Sequence, residues 1–232
     1  MSPDTGYRHF HDQLDALKQR LIDMSEHAER LVELSVQALL EHDADKAHAV
    51  ITGDRTVDAL EIEVEQAAIA LLALQQPLAR DLRYIIGAIK VSSDLERVGD
   101  HGVNIAESAL RLIEMKSNIT PDPEIQDMAR RSRDMLRDAL DAFVRADGAL
   151  GRAVCRADDS VDSLHDSVFR ILLTHMMESP PRISEALELL LVSRNLERVA
   201  DLATNIGEDA VYLAEGKQIK HHFEDRSTAP AR

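Results

Sequence analysis

Residues 94–107 read DLERVGDHGVNIAE, and four of them, Glu96, Asp100, Asn104 and Glu107, carry side-chain oxygens at steps of three and four. On an α-helix such residues stack on one face with Cβ atoms roughly 5–6 Å apart, so they form a single row of oxygen donors. The row is written twice. Residues 195–208, NLERVADLATNIGE, match it at eight of fourteen positions, including Glu197, Asp201, Asn205 and Glu208. A second acidic pair lies upstream in each half. Residues 43–60, DADKAHAVITGDRTVDAL, align with 147–164, DGALGRAVCRADDSVDSL, and Asp54 and Asp58 return as Asp158 and Asp162.

Carboxylate oxygens at this spacing suit hard cations, and also zinc and ferrous or ferric iron. Carboxylates that converge repel one another until something neutralises them. A cation would do so, and so would arginine: Arg97 and Arg198 sit inside the motifs, with Arg80 and Arg83 nearby. The plain alternative is a solvated helix face whose surface ion pairs contribute ~0–1 kcal/mol each. A carboxylate di-metal enzyme is the remote alternative. Its Glu-x-x-His signature is approached only by Asp162-x-x-His165, and Glu61 stands where the first half would need the histidine. No glycine-rich phosphate loop, G-x-S-x-G or H-E-x-x-H occurs. No catalytic residue and no cofactor-binding loop is therefore expected, and the chain reads as a non-enzyme. His9-Phe10-His11 reads as a helix start, Met176-Met177 as core, Cys155 as a small apolar helix residue, and His221-His222 as a solvated pair.

The elements that must carry these acids follow from periodicity. Residues 8–42 place Leu14, Leu17, Leu21, Met24, Ala28, Leu31, Leu34 and Ala38 on one face. A second helix, 45–75, does so with Val50, Val57, Leu60, Val64, Ala67, Leu71 and Leu74, and Gln76-Pro77 breaks it. A third spans 79–115. KSNITPDPE then reads as an interdomain linker. Helices over 123–145, 147–178 and 182–215 repeat the order, broken at Pro180-Pro181, and Gly216 is placed as a C-terminal cap. The two alignments are offset by 104 and 101 residues, as expected of a duplicated unit. The fold class is all-α: a tandem duplication of an elongated antiparallel three-helix bundle with six long helices. The units are 1–118 and 119–217, and 218–232 is a polar tail expected to be disordered.

Within the third helix, Val91, Leu95, Val98, Gly102 and Ile105 form the apolar row, nearly opposite the acids. In the second helix, Asp54, Asp58, Glu61 and Glu65 flank the apolar face. The two acidic rows can thus meet along a surface groove between helices two and three, and again in the second half.

Bulk composition narrows the rest. The chain has 232 residues, 44% hydrophobic and 3% aromatic, with no Trp. Such a core rests on aliphatic side chains, which suits helices. A net charge of −15 repels a phosphate backbone, so no nucleic-acid partner is expected. One cysteine, Cys155, allows neither an intrachain disulfide nor a cysteine-built zinc site. No apolar run reaches the length of a membrane span and no signal-peptide core is present, so the expected location is the cytoplasm.

With these residues in view, the sequence resembles the PhoU family, regulators accessory to phosphate transport. The resemblance spans roughly 8–216. It is carried by GDRTVDALE at 53–61, QPLARDLR at 76–83 and LERVGDHGVNI at 95–105, and in the second half by ADDSVDSL, THMMESPP and NLERVADLATNI. It implies tandem three-helix bundles. It implies surface multinuclear iron or zinc, or other divalent cations, on Asp54, Asp58, Glu96 and Asp100 and on Asp158, Asp162, Glu197 and Asp201. It implies restraint of the phosphate-starvation (Pho regulon) response and of high-affinity uptake, through the phosphate ABC transporter, with its ATPase subunit, and the phosphate-sensing histidine kinase. A homodimer is implied too, with the membrane reached only through partners. The alternative is a metal-free adaptor whose acidic stripes dock basic partner surfaces.

Overall fold

The computed structural model describes residues 3–75, 77–117 and 119–219. Gln76, the pair His221-His222 and nearly all of the tail placed at 218–232 lie outside the described residues. Six α-helices follow in order: α1 (Pro3–Glu41), α2 (Ala44–Gln75), α3 (Ala79–Glu114), α4 (Pro123–Arg145), α5 (Gly148–Glu178) and α6 (Ile183–Glu215). A single 3-10 turn, Pro180–Arg182, joins α5 to α6. Among the described residues there is no strand.

The first residue of the duplicated block explains itself locally. Asp43 accepts a hydrogen bond from the Lys46 backbone N–H, and Asp147 accepts from those of Ala149 and Leu150. Both are caps that satisfy otherwise orphaned N–H groups at the start of α2 and α5. Gly216 ends α6 with φ of 70° and donates its N–H to the Tyr212 carbonyl, the left-handed cap expected there.

Helices α1, α2 and α3 pack on one another, as do α4, α5 and α6. The two groups then join through α3 on α6 and, more lightly, α1 on α4. Cross-contacts fix the sense of the α3–α6 seam. Lys90 meets Asp209, His101 meets Asn195, and Arg111 meets Glu188. Numbers rise along α3 as they fall along α6, so the two run antiparallel. On the other side, Glu29 and Glu33 of α1 pair with Arg137 and Arg133 of α4. The result is two layers: α2, α3, α6 and α5 side by side in front, and α1 with α4 behind.

One continuous aliphatic core runs through both groups. Phe143 of α4 is fully buried and packs against Tyr84 of α3, with ring centroids 5.1 Å apart. The segment read as a linker is itself pinned. Ser117 donates to Glu185 of α6, and Ile119 is buried.

Two side chains assigned to the core are not in it. Leu74 is 72% exposed and Met177 is 77% exposed, although Met176 packs against the core. Both lie near the ends of helical hairpins.

Close helix approach is sharpest between α5 and α6. A Cβ on Gly151 would lie 2.5 Å from the carbonyl oxygen of Gly207, while the corresponding positions of the first half are Ala47 and Ala106, both buried. Backbone cannot rotate away as a side chain can. Gly151→Ala should gain ~1 kcal/mol in helix propensity and lose about 3 kcal/mol to overpacking. A lower urea midpoint at unchanged slope is the expected result, whereas a raised midpoint would show that α5 and α6 part freely.

Candidate functional site

Each acidic row lies where its helix wheel puts it, on the front layer beside its own core. Val91, Leu95, Val98, Gly102 and Ile105 are all buried, while Asp100 and Asn104 are exposed and Glu96 is half-buried. Gly99 gives Asp54 a particularly close approach to α3. A Cβ there would stand 2.7 Å from Oδ1 of Asp54, so the Asp54 carboxylate lies directly over the α3 backbone.

The structure brings all four predicted acids of the first half into one electrostatic cluster. Burial, then the charges of Asp58 and Asp100, push the Asp54 carboxyl up to about 6. Glu96 is raised by burial and then by Asp100, Glu61, Asp58 and Asp54. Glu61 joins the cluster: burial raises it first, followed by Glu65 and Asp58, against a hydrogen bond from Ser93 of α3.

The second half repeats the arrangement. Asp158 is pushed up to about 6 by burial, then by Asp162, Asp201, Asp159 and Glu197. Asp162 is raised by burial and then by Asp201, Asp159 and Asp166, with His165 opposing. Oδ1 of Asp158 is buried with no hydrogen-bond partner.

The arginines divide unequally. Arg198 lies 2.9 Å from Asp201, within the second groove, whereas Arg97 turns to Asp94, at 3.7 Å. Arg80 and Arg83 belong to the far end of α3, ~20 Å along the helix from Glu96 at 1.5 Å per residue. The first groove therefore keeps the less compensated charge. The oxygen rows fray beyond the acids, where Glu107 pairs with Arg111.

Among the described residues, no three His, Cys, Asp or Glu side chains stand in the geometry of a preformed metal site. The carboxylates cluster in charge without converging on one point. His165 faces Ser193, with Nδ1 3.2 Å from its hydroxyl. Burial pushes the Cys155 thiol up to about 11, helped by Glu208 and Asp158, so it is no ready nucleophile.

The sequence reading missed a set of exposed apolar side chains that share these rows. Their signal was present in the spacing: Leu82 lies eighteen residues, five helical turns, from Asp100. No described helix is long and apolar enough to cross a membrane.

Tandem three-helix bundles, each bearing an acidic groove on one shared face, define a helical scaffold of duplicated origin. The PhoU domain model matches the chain twice, over residues 21–109 and 125–210. The chain belongs to the PhoU family. It is 38% identical over 215 residues to the phosphate-specific transport system accessory protein PhoU homolog of Aquifex aeolicus, covering 92% of this chain and 97% of that protein. It is also 38% identical over 210 residues to the Zymomonas mobilis homolog, covering 90% and 88%. The crystal structure of PhoU from Pseudomonas aeruginosa superposes with a TM-score of 0.86 at 34% identity, covering 90% of this chain and all of that one. The Streptococcus pneumoniae phosphate transport system regulatory protein PhoU gives 0.84 at 28%, covering 91% and 99%.

Proposed function

We propose that this chain is a non-enzymatic regulator of phosphate homeostasis in the cytoplasm. It restrains the phosphate-starvation response and high-affinity phosphate uptake. It does so by linking the ATPase subunit of a phosphate ABC transporter to a phosphate-sensing histidine kinase, as a homodimer. The observation that carries this reading is end-to-end similarity, in both halves, to relatives named as accessory proteins of phosphate-specific transport. Deleting the gene should derepress starvation-induced phosphatase in phosphate-rich medium, and re-expression should restore repression. Phosphatase that stays low in the deletion strain would contradict the proposal.

The grooves fit a cation by chemistry. The eight acids offer oxygen donors, one of them an orphaned buried oxygen on Asp158, and carboxyls whose mutual repulsion a positive ion relieves. Asp54, Asp58, Glu96 and Asp100 would hold it in one half, and Asp158, Asp162, Glu197 and Asp201 in the other. When bound, iron, zinc or another divalent ion would neutralise the cluster and tie α2 to α3 and α5 to α6. The second reading leaves the grooves metal-free, as docking sites for basic surfaces. The Arg198–Asp201 pair favours it, because there a guanidinium already meets one of the acids.

A further inference from the structure

The front layer carries more than acids. Ile69, Leu82 and Ile86 are 60%, 40% and 42% exposed. Their counterparts at the same offsets of 104 and 101 residues are Leu173, Ile183 and Leu187, at 45%, 40% and 46%. Singly scattered exposed apolar residues need no explanation, but contiguous ones mark contact surfaces. Here three of them recur at equivalent positions in both halves.

Their placement along the helices is also shared. At ~100° per residue, Leu82 lies in line with Asp100, and Ile86 is turned by only about 40°. Ile69 is within about 20° of the row of Asp58 on α2 by the same count. The same arithmetic aligns Ile183 with Asp201 and Leu173 with Asp162. Each groove therefore has an apolar half toward its hairpin end and an acidic half toward the centre of the molecule. From Leu82 to Asp100 is ~27 Å, about five helical turns.

We infer that each groove docks an amphipathic helix from a protein partner, with apolar side chains over about two turns at one end and Lys or Arg over about three turns at the other. Charge complementarity selects this occupant. The acidic half needs cationic side chains, and an apolar helix face laid in a hydrophobic groove is an established mode of recognition. A lipid surface fits poorly, since the chain carries −15 and the carboxylates share the face with the apolar residues. A second copy of this face would set acid against acid across the two-fold. Because the site is duplicated, one chain holds two such helices. This inference rests on the adaptor part of the proposed function and not on bound cations.

The test uses the full chain, freed of metal, and a fluorescent twenty-residue helical peptide with Leu and Ile at one end and Lys and Arg at the other. Two peptides should bind per chain, at least tenfold more tightly than a scramble of the same composition. Ile69→Gln with Ile86→Gln should leave one peptide per chain, and adding Leu173→Gln with Leu187→Gln should leave none. These exposed changes should not move the melting temperature. Glu96→Gln with Asp100→Asn should weaken the first site tenfold at low salt and flatten its salt dependence. Binding equal to the scramble, or unchanged by the four glutamines, overturns the inference. So does stronger binding of the same face to anionic vesicles, or a dimer that the glutamines split into monomers. The peptide result is independent of phosphatase in the deletion strain, so either idea can fail alone.

Discussion

Replacing Phe143 with alanine is expected to cost about 3–5 kcal/mol, the range for deleting a fully buried aromatic ring. The reason is position as much as size. Phe143 belongs to the second half, yet its ring packs on Tyr84 and lies against Gly87, where a Cβ would come within 2.7 Å of Cε2. Nothing small can refill that space, because α3 already presents its narrowest residue there. The cavity opens between the halves, so the loss should be felt across the whole core. Wild-type protein should unfold in one cooperative transition, and the variant should show a lower denaturant midpoint by every probe. A double-mutant cycle with Tyr84→Leu should return a coupling of ~0.5–1.5 kcal/mol for the ring pair. A loss below ~1 kcal/mol for Phe143→Ala would show that the halves do not depend on this contact.

The second large effect concerns pH. Asp54 and Asp158 each titrate near 6 in the folded chain, against ~3.9 for an unfolded aspartate. Between those values the folded state holds more protons than the unfolded one. These two carboxyls should therefore cost metal-free protein stability as pH rises from about 4 to about 6. Both carboxyls are partly solvated, so each effect is ~1 kcal/mol or less and not the full conversion of the shift. Asp54→Asn with Asp158→Asn should flatten the profile over that window and raise stability at pH 7.5 by about 1–2 kcal/mol. Urea titrations from pH 4 to 8 in chelator-treated protein measure it. A variant whose profile overlays the wild type would mean that the acids are fully hydrated.

Much of this molecule can be read along the chain. The helix faces are long and regular, and prolines mark the breaks, so five of the six helices start and stop within a residue of where periodicity places them. α1 starts earlier, at Pro3 rather than residue 8; the serine-proline-aspartate run at 2–4 is the start signal that the apolar period alone passes over. The acidic rows were legible for the same reason: carboxylates at i and i+4 face one way whatever else the chain does. What lay hidden depends on a second helix. Arg97 and Arg198 are equivalent in sequence, yet one turns to Asp94 and the other to Asp201. Gly99 admits Asp54 where the second half has Ala200, a difference invisible until α2 is laid on α3. The α3–α6 seam is tied by His101, Asn195, Arg111 and Glu188, polar residues that no hydrophobic period reveals. Leu74 and Met177 fit an apolar face on paper yet stand exposed near the ends of their hairpins.

We propose that a cation relieves the mutual repulsion within the twin acidic grooves. Thermal unfolding of metal-free protein at pH 7.5, titrated with zinc and with ferrous iron under anaerobic conditions, tests it most directly. The predicted result is a melting temperature that climbs with cation concentration as RT ln(1 + [L]/Kd) requires, and a climb that is lost when Asp54, Asp58, Glu96, Asp100, Asp158, Asp162, Glu197 and Asp201 are replaced by their amides. A melting temperature indifferent to both cations, or one that climbs equally in the amide variant, would contradict it.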